Sequence, residues 1–86
     1  MKSKLITVVD HKDVRPANGK TFTLEELQGF VGGYIEMVRI PGDSSMVMVA
    51  NEEGLLLELL PNQCASNIAQ QEICGPVLVC ERKMIK

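Results

Sequence analysis

Residues 23–54, TLEELQGFVGGYIEMVRIPGDSSMVMVANEEG, decide the fold. Thr23 is placed as a helix N-cap, and Glu26 three residues later completes a capping box. Phe22 before the cap and Leu27 after it have the spacing of a hydrophobic staple. Leu24, Leu27, Phe30 and Val31 recur with helical period and predict the buried stripe, while Glu25, Glu26 and Gln28 fall on the solvated face. Gly32 or Gly33 then supplies the left-handed conformation that ends a helix at little cost. Tyr34 to Ile40 reads as a strand with Tyr34, Glu36, Val38 and Ile40 on one face and Ile35, Met37 and Arg39 on the other. Pro41-Gly42-Asp43-Ser44 is a turn by composition, and Met46 to Ala50 is apolar throughout. A short run with no polar position predicts a central strand buried on both faces, paired with Tyr34–Ile40 as an antiparallel hairpin.

Outward from this stretch the pattern continues with less force. Leu5 to Val9 is a β-branched run and predicts a strand. Residues 10–20 hold Pro16 and the pair Asn18-Gly19, and predict a long loop. Asn51-Glu52-Glu53-Gly54 is a second turn, with Leu55 to Leu59 a third strand or a bridging segment. Asn62 is placed as the N-cap of a short second helix with a narrow stripe at Ala65, Ile68 and Ala69. Pro76 to Glu81 is the last strand, and residues 82–86 form a C-terminal tail. Helices and strands do not alternate strictly. The expectation is a single α+β domain over residues 1–86, with a mixed or mainly antiparallel sheet of about four to five strands, one well-capped helix and one weaker helix.

Composition narrows the possible functions. The aromatic residues are Phe22, Phe30 and Tyr34, so Leu, Ile, Val and Met must build the core. A net charge of -2, with basic residues scattered except at Arg82, Lys83 and Lys86, gives no electrostatic reason to expect nucleic acid. Cys64, Cys74 and Cys80 are odd in number and form no CxxC pair, and His11 is the single histidine. Neither a zinc site nor a disulfide framework has the required spacing. No apolar run reads as a signal peptide or reaches the length of a membrane span. The expectation is a cytoplasmic protein with free, mostly buried thiols and no cofactor.

No catalytic motif stands out. Gly32-Gly33 follows a helix, whereas phosphate-binding glycines precede one. Glu36 interrupts the strongest strand, so it needs solvent, a pocket or a subunit interface, and Arg39 on the other face can meet it only across strands or chains. Glu52 and Glu53 would point to opposite faces, which argues against a cooperating carboxylate dyad. His11 has no serine or cysteine at a recognised spacing. Lys12 and Arg15 in the same loop have the charge to bind an anion.

The segments LEELQ (24–28), VGGYIEMV (31–38) and NEEG (51–54), followed by LPNQCA (60–65) and GPVLVC (75–80), resemble the domain-of-unknown-function 3846 family. Its members are short proteins from gut metagenomes, phages and mobile elements. The resemblance leaves out the N-terminal loop and brings no activity with it. It singles out Gly33, Tyr34, Glu36, Asn51, Glu52 and Asn62 as matching positions that are not plainly core. Together with Arg15 and Arg39, the polar and aromatic members of this set are the candidates for a ligand site or an interface. With no catalytic constellation, a thin core and apolar strands that can pair across subunits, the expectation is a non-enzymatic accessory protein of phage or mobile-element type, working as a homo-oligomer in a host cytoplasm; its sharper form sequesters a nucleotide-like signal of host defence. In that reading Tyr34 stacks on a base while Arg15 or Arg39 meets a phosphate. The alternative is a protein-interaction module that modulates a host protein through the acidic turn or an exposed strand edge.

Overall fold

A computed structural model describes residues 3–85. Five strands form one antiparallel sheet: β1 (Ser3–Ile6), β2 (His11–Asp13), β3 (Ile35–Arg39), β4 (Met46–Asn51) and β5 (Val77–Glu81). They lie in the order β2-β1-β5-β4-β3. Helix α1 (Leu24–Val31) joins β2 to β3, and helix α2 (Gln63–Ala69) lies between β4 and β5. The fold is α+β, as the broken alternation of elements predicts.

Strand alternation divides the core into two layers. Val47 and Val49 of β4 and Leu78 and Cys80 of β5 pack with Phe22, Leu27, Val31 and Met84 beneath α1. Met48 and Ala50 of β4, Val77 of β5 and Val38 of β3 pack on the opposite face with Ala65, Ala69 and Ile73. β4 is therefore buried on both faces, which explains why it reads as a continuous apolar run. The capping box at Thr23 and Glu26 is formed, and Gly32 ends α1 at φ +81°. Phe22 and Leu27 pack in one cluster, and Phe22 meets Phe30 edge-on at 5.7 Å.

Several expectations are corrected. Residues 10–20 are not all loop. His11–Asp13 pair with β1 as a hairpin whose three side chains are all exposed, so no apolar alternation announces the strand. The stretch Leu5–Val9 is a strand only to Ile6, and exposed Val8 and Val9 lie in the hairpin turn. Leu24 is exposed and is not part of the stripe of α1. Residues 82–85 are not a trailing tail. Arg82–Met84 form a 3-10 turn that buries Met84, and Ile85 bridges to Phe22; Lys86 lies outside the described residues. Of the two readings of Leu55–Leu59, the structure has the bridging segment and not the strand, because the backbone is turned on itself by bonds from Leu57 N–H to the Glu53 carbonyl and from Leu59 N–H to the Gly54 carbonyl.

Candidate functional site

The two asparagines among the candidates are explained by the fold. Asn62 is fully buried and caps α2 through Oδ1, which accepts from the Ala65 N–H at 3.1 Å. Its Nδ2 donates to the carbonyls of Ile6 and Gly75 at 3.0 and 2.9 Å. Asn51 donates from Nδ2 to the Val31 carbonyl at the end of α1 and accepts from the Glu53 N–H. Both side chains join a helix terminus to the sheet and turn their polar atoms inward.

The remaining candidates separate across the molecule. Arg15 follows β2 at one edge of the sheet, while Tyr34, Glu36 and Arg39 belong to the other edge. Tyr34 and Arg39 stand at opposite ends of β3, about 16 Å apart at the rise of an extended strand. His11 on β2 is likewise across the sheet from Glu36 and Glu52, so these three do not converge on one cleft. Among the described residues no three metal-binding side chains come together. Cys74 and Cys80 are buried, and burial, reinforced by Glu81, pushes the Cys80 thiol up to about 11. A thiol held in that state is a poor nucleophile.

What does come together is a surface at the start of β3. Glu36, Glu52 and Glu72 line a groove of about 290 Å³ with Leu55, Leu56 and Ile73. On the other side of the same loop, Leu57 lies with Tyr34, Gln28, Gly33 and Glu53 around a second concavity. Leu55, Leu56, Leu57 and Leu60 are all exposed, Leu56 at 78 %. The loop carrying them is hydrogen-bonded to itself and to the residues just before β5. Besides the two internal bonds already described, the Gly75 N–H donates to the Leu60 carbonyl, and Pro61 bridges to Cys74. Leu59 lies inward against Gly75, where an added Cβ would stand 2.6 Å from its Cδ1. Gly75 has φ +87°, so both its backbone and the packing of Leu59 require glycine.

The outer side of β3 completes this surface. The Glu52 N–H donates to the Tyr34 carbonyl, which sets the even positions of β3 as those bonded to β4. Ile35, Met37 and Arg39 therefore direct their backbone N–H and C=O groups outward, and no strand among the described residues lies beyond them. Met37 is 47 % exposed on this edge.

The leucines and Met37 are the residues that sequence reasoning missed. The available signal was the run GLLLELL at 54–60, which has neither the period of a strand nor that of a helix and ends at Pro61. Among the described residues no helix is long and apolar enough to cross a membrane. No match was found among curated proteins or solved structures. The family match spans residues 1–84, so it takes in the N-terminal hairpin that the sequence resemblance left out. Over that span the chain belongs to the family described as a domain of unknown function, DUF3846.

Proposed function

We propose that this protein acts by binding rather than catalysis, as a protein-interaction module. The observation that carries the reading is the display of Leu55, Leu56, Leu57 and Leu60 on a hydrogen-bonded loop beside Tyr34 and the open edge of β3. Exposed apolar side chains on a hydrogen-bonded loop need little reordering on binding. The setting that fits the family resemblance is an accessory protein of a phage or mobile element acting on a protein of its bacterial host.

Sequestration of a nucleotide-like signal by a homo-oligomer draws less support. The concavity beside Tyr34 is lined by Gln28, Gly32, Gly33, Glu53 and Leu57, with no cation to meet a phosphate. It also adjoins the C-terminal end of α1, the negative end of the helix dipole.

The test is quantitative capture of partners from a bacterial lysate by the wild type and by a Leu56→Asp/Leu57→Asp double variant, with folding of both checked by circular dichroism. A partner held stoichiometrically by the wild type and lost by the variant is the expected result. Equal capture by both proteins, or capture by neither, defeats the reading.

A further inference from the structure

We propose that the occupant of this surface is an extended segment of another protein, which adds a strand to β3 and places a lysine or arginine over Glu36. The inference rests on the interaction reading above and names the shape and charge of the partner.

Shape follows from the backbone. The outward N–H and C=O groups of Ile35, Met37 and Arg39 repeat at every second residue, which is the spacing another strand offers in return. The strand has no proline and no bulge, and its pairing with β4 is continuous from Ile35 to Arg39. At the start of this edge Tyr34 shares a concavity with Leu57, and Glu36 shares the groove with Leu55 and Leu56, so apolar side chains of an added strand have apolar neighbours there.

Charge follows from the side chains at that end. Glu36, Glu52 and Glu72 share the groove, while Glu53 and Glu58 lie on the adjoining loop. Among the described residues none of the five is in an ion pair, and no lysine or arginine lines the groove. A cationic residue between apolar ones complements this surface, and an acidic partner is repelled by it.

The same geometry argues against a second copy as the occupant. A two-fold antiparallel pairing of β3 with itself keeps each face of the sheet on its own side. Glu36 of one copy then faces Val38 or Ile40 of the other, because Arg39 lies on the opposite face. Centred on Met37, the pairing brings the two Glu36 residues to diagonal positions, where like charges oppose each other. The groove would remain without a cation.

The experiment is selection of binders from a yeast-displayed library of random dodecamer peptides, using the intact protein as bait. The expected result is enrichment of peptides with lysine or arginine between β-branched or aromatic residues. Their binding should weaken about tenfold in Glu36→Lys. It should be lost in Met37→Pro, where an outward N–H is removed without breaking a bond to β4. Glu36→Lys changes one exposed side chain, so it keeps the test valid where Met37→Pro fails to fold. Enriched peptides that lack cations, ignore both substitutions and are lost in Leu56→Asp/Leu57→Asp would overturn this inference while leaving the interaction reading intact. Enrichment no greater than on that double variant overturns both.

Discussion

The two edges of the sheet are built differently. β2 is three residues long, all exposed, with a polar surface at His11, Lys12 and Asp13 and an ion pair from Asp13 to Lys4 at 3.9 Å. β3 is longer, has the apolar Met37 at its centre and begins beside exposed leucines. Short, charged edge strands discourage further pairing, while a longer edge with apolar side chains invites it. Within one sheet, then, one edge carries the features that discourage pairing and the other, among the described residues, does not. The contrast also separates residues that hold the fold from residues that hold nothing within the chain.

That separation predicts a graded set of stability changes. The largest is expected on the β2 side. Replacing Asn62 by alanine removes three hydrogen bonds and leaves the Ile6 and Gly75 carbonyls without this donor, which should cost about 3 kcal/mol in denaturant unfolding. A loss under about 1 kcal/mol would mean that Asn62 does not hold β1 to the start of α2. Next is Gly75→Ala, which strains a left-handed backbone and displaces Leu59, at about 2 kcal/mol. It sharpens the comparison because it frees the leucine loop, so faster amide exchange at Leu57 and Leu59 should accompany the lost stability.

On the open side, Leu56→Asp should change stability by less than about 0.5 kcal/mol, since its side chain is mostly in water. A cost of about 2 kcal/mol would show that the loop is part of the core and would break the contrast. The smallest effect is expected in acid. Glu26 accepts the Thr23 N–H, the Ala17 N–H and the Thr23 hydroxyl, and these bonds hold its carboxyl below the usual value of 4.5. Its contribution is therefore present above that value and is lost as pH falls through the lowered folded-state value. Thermal melts of Glu26→Gln should show a shallower decline than the wild type below pH 4.5, and parallel curves would refute the assignment.

What the sequence revealed follows the range of the interactions involved. Thr23 with Glu26, Phe22 with Leu27, Gly32 and Asn62 act within a few residues of themselves, so their spacing alone announces them. β2 depends on backbone pairing with β1 and has no buried side chain to signal it. Met84 is one methionine near the end of a charged stretch, and only its distant contact with the α1 layer makes it core. The leucines at 55–60 misled for the opposite reason, because apolar residues are expected to be buried and four of these are not. Apart from the cap that Asn62 announces, nothing in the sequence tells Asn51 and the inward bonds of Asn62 from Glu36 and Glu52. Only burial separates the two asparagines, which brace helix ends, from the two glutamates that face the groove.

The strand order also constrains how the chain comes into being. β5 sits in the middle of the sheet, with β1 on one side and β4 on the other. On the ribosome the β1–β2 hairpin emerges before its central neighbour and stays without it until residues 77–81 follow, when Ser3 can at last meet Cys80. A contact of such long range carries a large loop-closure entropy and predicts slow folding. Until then the nascent chain exposes the flanks of β1 and β4 that β5 will cover, and that interval is when it most needs protection from aggregation.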